Sequence, residues 1–121
     1  MYARIVAVHV EACQPQQDTI VIVMQIDDNN CWAGSQCYGY VWDNDALYPF
    51  VAEQENSAIA LNFGAFNNGE QAKLNLVGKS IGVGELFTRA DTFPKKQGVY
   101  SYTYRIESVF PMCDAPIDSV E

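Results

Sequence analysis

The sequence predicts an all-β or β-dominated domain, built as a small antiparallel barrel or sandwich of six or seven strands. Apolar and polar side chains alternate with a period of two over most of the chain, which is typical of strands with one buried face. Clusters of turn-forming residues, such as the Asn-Asn-Gly of residues 67–69, separate these segments. Closure into a barrel is favoured because it removes the unpaired edges that long strands expose.

The predicted strands follow one another with short links. A length of 121 residues fits one domain, so residues 1–121 are expected to fold as a unit, with an irregular tail over 111–121. Residues 90–98 are expected to form a hairpin loop with Lys95 and Lys96 at its tip. The strands are predicted over residues 2–11, 19–27, 36–42, 57–66, 73–77, 85–89 and 99–110.

One segment, residues 45–55, is a candidate for a short helix. Asp45 is a suitable N-cap, and Leu47, Phe50 and Val51 recur at helical spacing. Pro49 falls late in the first turn, which weakens the helix prediction without excluding it. At most one helix is therefore expected in the domain.

The first and last strands are predicted to lie side by side, since an unpaired long strand would be an aggregation edge. Cys13 and Cys113 follow these two strands by similar offsets. A parallel arrangement is therefore predicted, with the two cysteines close enough for a disulfide on oxidation.

Composition excludes several classes of protein. A hydrophobic fraction of 49% with 12% aromatics excludes a disordered chain. The longest apolar run, residues 20–24, is too short for a transmembrane helix, and residues 1–10 lack a basic signal-peptide start. A cytoplasmic location with free thiols is therefore expected. The cysteines, which fit no zinc spacing, are Cys13, Cys31, Cys37 and Cys113.

Charge points to a protein partner. The net charge is −8, and no Lys or Arg occurs between Arg4 and Lys73. This acidity disfavours nucleic acid, and the Lys95-Lys96 pair with Lys79 and Arg89 supplies few phosphate contacts. We expect a partner with a basic contact face whose association slows as salt rises, because salt screens surface charge.

Aromatic residues supply the candidate contact site. Tyr and Trp are concentrated between residues 32 and 48, and a second alternating ladder runs from Tyr100 to Tyr104. Such side chains suit interfaces and stacking platforms, although cross-strand packing that holds a sheet together is the more common role of such ladders. If the two ladders occupy neighbouring strands, they form one aromatic face. The candidate binding residues are Trp32, Tyr38, Tyr40, Trp42, Asp43, Asp45, Tyr48, Glu53 and Glu55.

No catalytic or metal site is predicted. His9 is the only histidine, and Glu11 shares its face of the strand, but no nucleophile accompanies them. The Asp/Asn loops at 27–30 and 43–45 lack an EF-hand pattern and are typical of turns. No cofactor is expected.

Three functional hypotheses remain open. The first is a non-enzymatic interaction module, such as an acidic inhibitor or immunity-type protein, or a subunit of a larger assembly, including a viral one. The second is a small-molecule or carbohydrate-binding barrel with an aromatic platform. The third is a hydrolase or isomerase around His9 and Glu11. The direction in which Tyr38, Tyr40 and Trp42 point discriminates the first two.

Overall fold

The computed structural model describes residues 1–11, 18–34, 36–64, 71–93 and 98–112. The regular secondary structure of these residues is entirely β-strand, and they contain no helix. The eight strands are β1 (Tyr2–His9), β2 (Asp18–Gln25), β3 (Gln36–Asp43), β4 (Ala46–Glu55), β5 (Ala58–Asn62), β6 (Gln71–Leu74), β7 (Leu86–Thr92) and β8 (Val99–Pro111).

The strands make one closed antiparallel barrel with up-and-down topology. Each strand pairs with the next in the chain, and β8 returns to pair with β1. Closure leaves no strand with an unpaired edge. An eight-stranded barrel has an interior just wide enough for its own side chains or one small ligand. The barrel is confirmed, with one or two more strands than the sequence predicted.

The predicted helix over 45–55 is wrong, because this segment is strand β4. Asn44 and Asp45 both have positive φ, 49° and 67°, so they form a two-residue turn that pairs Asp43 with Ala46. The turn directs the chain back along β3 as a hairpin. Side chains then alternate, with Phe50 buried and Val51 61% exposed. This additional strand completes the barrel.

The first and last strands lie side by side, but they are antiparallel rather than parallel. Ala3 pairs with Pro111 and His9 pairs with Tyr104, with the register shifting beside Glu107. The C-terminal ends of β1 and β8 therefore lie at opposite ends of the barrel. Up-and-down topology with eight strands requires this, because an even number of strands closes antiparallel. Cys13, Cys113, Lys95, Lys96 and the tail beyond Met112 lie outside the described residues.

The barrel interior is packed with apolar side chains along most of its length. At one end, hereafter the apolar end, two connections between strands meet. The Ile81 N–H donates to the Asn30 carbonyl at 2.7 Å, and the buried Trp32 ring donates to Gln54 at 2.8 Å. Trp32 therefore closes the apolar end, and the hydrogen bond to Gln54 satisfies its indole N–H.

One glycine is required by the close approach of two neighbouring strands. Gly39 faces the interior where β2 and β3 approach each other closely, and a Cβ there would overlap the carbonyl oxygen of Val21. Only glycine fits at this point. It lies between Tyr38 and Tyr40 and fixes the path of the strand that carries them.

Candidate binding surface and internal charged network

The sequence-predicted site residues divide into three groups in the structure. All except Trp32 lie on the β3–β4 hairpin. Trp32 is only 8% exposed and belongs to the core. Asp43, Asp45 and Tyr48 lie at the opposite, polar end of the barrel, around the β3–β4 turn. The residues on the outer face of the wall are Tyr38, Tyr40, Trp42, Glu53 and Glu55.

The tyrosine and tryptophan ladder of β3 points outward. Its strand alternates with the buried Cys37 and Val41, whose side chains face the interior. Tyr38 is 55% exposed and lies opposite Val51 of β4, which is 61% exposed. Directly paired residues lie close enough for their side chains to contact. Tyr38 and Val51 therefore form a continuous apolar surface across two strands.

This surface extends across neighbouring strands and borders a groove. On the β2 side, Tyr38 pairs with Val23. The outer wall here bears a groove of about 720 Å³ whose lining includes Tyr2, Val23, Tyr38 and Val51. We call these four residues, with Tyr40, the outer aromatic face. Because these apolar side chains are neighbours across three strands and border a groove, the outer aromatic face is a candidate contact site.

The charges beside the outer aromatic face are unevenly paired. Glu55 forms an exposed ion pair with Lys73 at 3.2 Å. Arg4 donates to the Tyr40 hydroxyl at 3.5 Å, a weak contact. Among the described residues Glu53, which also lines the groove, forms no ion pair. Among its described lining residues the groove therefore has one more acidic than basic side chain.

The two aromatic ladders do not share a face. The β8 ladder is in phase with the buried Ile106, so Tyr104 points into the barrel and is 0% exposed. β8 pairs with β7 and β1, and not with β3. The wall of the barrel therefore separates the two ladders, and the single aromatic face considered from the sequence does not form.

The interior of the polar end holds a charged network that the sequence analysis did not identify. Arg89 of β7 donates to both oxygens of Asp91, at 2.8 and 2.7 Å. It also donates to the Tyr104 hydroxyl at 3.3 Å, and its guanidinium lies over the Tyr102 ring. The Tyr104 hydroxyl donates to Asp18 at 2.8 Å. Four residues from three strands are thus linked in one chain of hydrogen bonds.

His9 lies beside this network, and the carboxylate that approaches it is not Glu11, the residue considered from the sequence. Its ring lies against Tyr102 and Tyr104, with centroids 5.5 and 5.9 Å away. The Nδ1 atom is 3.9 Å from Asp18 Oδ2, too long for a hydrogen bond. Glu11 lies in the exposed turn after β1. Asp18, at the start of β2, is therefore the carboxylate that approaches His9 inside the barrel.

Burial sets the ionisation of this network. It raises the pKa of Asp18, against the lowering effects of the Tyr104 hydrogen bond and the Arg89 charge. It raises the pKa of the Tyr104 hydroxyl, which therefore donates rather than accepts toward Asp18. Burial disfavours the charged form of Arg89, but the hydrogen bonds and charge of Asp91 outweigh this effect and raise its pKa. Arg89 and Asp91 are consequently an ion pair.

Cys37 is the buried free thiol of β3. Its burial raises its pKa to about 12, which leaves it protonated and unreactive at neutral pH.

Among the described residues no group of three or more His, Cys, Asp or Glu side chains is placed to hold a metal ion. Nor do these residues contain a helix long and apolar enough to cross a bilayer.

The missed network had a partial signal in the sequence. Phe87, Arg89 and Asp91 alternate, so they share one face of a strand. The apolar Phe87 marks that face as buried, which placed the two charges inside.

Comparisons with family models, with curated proteins and with solved structures found no match to the chain.

Proposed function

We propose that this protein is a non-enzymatic binding module that holds a protein partner on the outer aromatic face. The observation that carries the proposal is the cross-strand pair of Tyr38 and Val51, both more than half exposed beside a groove. Tyrosine contributes a large contact area with a polar tip, and it is enriched where interfaces bind most strongly. The β-sheet fixes the backbone of both residues, so binding has to order only their side chains.

The partner has an apolar contact surface with a basic group at its edge. Glu53 lines the same groove and has no ion pair among the described residues, and the chain carries a net charge of −8. A Lys or Arg of the partner that faces Glu53 would supply the ion pair that Glu53 lacks among the described residues. The overall charge would accelerate the encounter at low salt.

The experiment begins with the purified chain alone. Sedimentation velocity over a range of concentrations tests whether the outer aromatic face binds a second copy. We expect a monomer, because two chains of the same strong negative charge repel each other. A dimer that Tyr38→Ala abolishes would contradict the proposal.

The partner is then captured by a photo-crosslinking phenylalanine analogue at position 38, with position 101 as the matched control. Ser101 is exposed on the outer side of β8, away from the β2–β4 wall. The captured protein is purified and its association with the unmodified chain is measured. We expect reversible binding, slowed by salt and weakened by Glu53→Lys. Equal capture at position 101, or binding that Glu53→Lys strengthens, would overturn the proposal.

A further inference from the structure

An exposed arginine lies on the outer wall, in a row of residues that continues the outer aromatic face to β8. Each member of the row pairs directly with the next on the neighbouring strand, in the order Phe110, Arg4, Val23, Tyr38 and Val51. Arg4 is exposed, and Phe110 beside it is 65% exposed. Directly paired residues lie close enough for their side chains to contact. The guanidinium of Arg4 therefore has an apolar neighbour on each side.

Arg4 is the one charged side chain on the outward face of β1, β2 and β3, all of whose residues the structure describes. The other outward positions of these strands hold Tyr, Trp, Val, Thr and Gln. The acidic residues of the three strands, Asp18 and Asp43, are in phase with the buried Ile20 and Val41 and belong to the inner face. A chain with a net charge of −8 therefore presents a single positive charge on this part of its wall.

Arg4 also differs from the other two arginines of the chain in having no carboxylate beside it among the described residues. Arg89 forms an ion pair with Asp91 at 2.7 Å, and Arg105 forms one with Glu107 at 2.8 Å. The contact of Arg4 with a tyrosine hydroxyl is weak, as described above. Most N–H donors of its guanidinium are therefore available to a group outside the described part of the chain.

Arg4 and Glu53 together set the charge pattern that a partner has to match. Arg4 is on β1 and Glu53 is on β4, with β2 and β3 between them. Since neighbouring strands are just under about 5 Å apart, the two charges are separated by about 15 Å of wall. A partner that covers Tyr38 and its neighbours removes water from Arg4. Such a partner has to supply a negative group there, because a desolvated guanidinium without one is costly.

We propose that the protein partner presents an Asp or Glu carboxylate to Arg4, about 15 Å from the basic group that faces Glu53. This inference deepens the proposed function and rests on it. The planar guanidinium of arginine matches the two oxygens of a carboxylate, and arginine is enriched where interfaces bind most strongly. The two contacts have opposite signs, so they select one orientation of the partner. The reversed orientation would place an acid against Glu53 and a base against Arg4.

Removal of the charge tests the proposal, because long-range and local electrostatics then act in opposite directions. Arg4→Met makes the chain more negative, which by itself favours a basic partner. With a carboxylate at Arg4, we instead expect the dissociation constant of the partner captured at position 38 to rise at least about tenfold. Arg105→Met is the matched control, because it changes the net charge equally and pairs with Val8 rather than with the row of Arg4. It should leave the constant within about twofold.

The outcomes separate this inference from the proposed function. An unchanged or lower dissociation constant for Arg4→Met would overturn the inference. If Tyr38→Ala still weakens the complex in that case, the partner remains assigned to the outer aromatic face. If neither variant weakens the complex, the inference and the proposed function both fail.

Arg4→Lys identifies the carboxylate directly. This variant keeps the positive charge and supplies an amine, which a water-soluble carbodiimide couples to a carboxylate in contact with it. We expect mass spectrometry of the coupled complex to show an amide link from position 4 to an Asp or Glu of the partner, and none to the partner from Arg105→Lys. The chain has its own carboxylates in the tail outside the described residues, at Asp114, Asp118 and Glu121. A link from position 4 to one of these, or no link to the partner, would overturn the proposal.

Discussion

The hydroxyl of Tyr104 donates a 2.8 Å hydrogen bond to Asp18 Oδ1, although the two residues are 86 positions apart in the chain. Tyr104 is on β8 and Asp18 begins β2, and β1 lies between these strands in the sheet. The bond therefore passes over the inner surface of β1. It links the two strands that flank β1, and it therefore reinforces the barrel where β1 and β8 close it.

Removal of this bond should destabilise the protein measurably. Tyr104→Phe retains the stacking on Phe87 but leaves Asp18 Oδ1 without its donor. We expect a loss of about 1–3 kcal/mol in the free energy of unfolding, measured by chemical denaturation. Tyr40→Phe is the matched control, because its hydroxyl has only the 3.5 Å contact with Arg4, and about 0.5 kcal/mol or less is expected. An effect of Tyr104→Phe no larger than the control's would contradict the network.

The buried ion pair should behave as a unit. Arg89→Met leaves Asp91, only 5% exposed, without its counter-charge, and a loss of about 3–5 kcal/mol in unfolding free energy is expected. The double variant Arg89→Met/Asp91→Leu removes both charges. It should be more stable than Arg89→Met alone, because no buried charge remains unpaired. Additive losses in a double-mutant cycle would show that the pair does not interact.

The pKa of Asp18 gives a pH dependence with a definite sign. Burial raises this pKa above 3.8, while His9, Arg89 and Tyr104 lower it and Asp43 raises it further. The folded protein therefore binds the proton more tightly than the unfolded chain does. The resulting stabilisation is complete below pH 3.8 and is lost as pH rises through the folded pKa.

The measurement is the unfolding free energy of the wild type minus that of Asp18→Asn, taken across this pH range. We expect the difference to decrease as pH rises. A carboxyl carbon titration of Asp18 by NMR should give a midpoint above 3.8. A difference that increases with pH would mean that the paired donors, rather than burial, dominate at Asp18.

Gly39 should not tolerate a side chain. Its Cβ would overlap the carbonyl oxygen of Val21, so Gly39→Ala must separate β2 from β3, and a cost of about 3 kcal/mol or more is expected. Gly82→Ala is the control, because the nearest atom to its Cβ is 3.9 Å away and its φ is not in the left-handed region. Equal thermal unfolding temperatures for the two variants would contradict the close approach.

The period-two pattern was sufficient to predict a barrel, but one strand was misread. In β4, the outward Leu47 and Val51 flank the inward Phe50, and this combination reproduces helical spacing in the sequence. In the structure, Asn44 and Asp45 instead form a turn with two positive φ angles, and the strand begins after them. The antiparallel pairing of β1 and β8 depended on the total number of strands, so the missing strand also hid the direction of closure.

The alternation of side chains along β3 also did not show which of its two faces points into the barrel. Tyr38, Tyr40 and Trp42 share one face, and Gly39 and Val41 share the other, but the larger apolar set is the one that points outward. Gly39 is required on the inward face because β2 lies too close for a Cβ there. Asp18 and Tyr104 meet only after closure, so no local pattern predicts their contact.

The most direct test of the proposed function is the dissociation constant of the complex with the captured partner, measured for Tyr38→Ala and for the control Ser101→Ala. The account predicts that Tyr38→Ala raises the constant at least about tenfold, as loss of a central interface tyrosine does, while Ser101→Ala leaves it unchanged. Both variants should unfold at the wild-type temperature, because both side chains are exposed. An unchanged constant for Tyr38→Ala would contradict the assignment of the partner to the outer aromatic face.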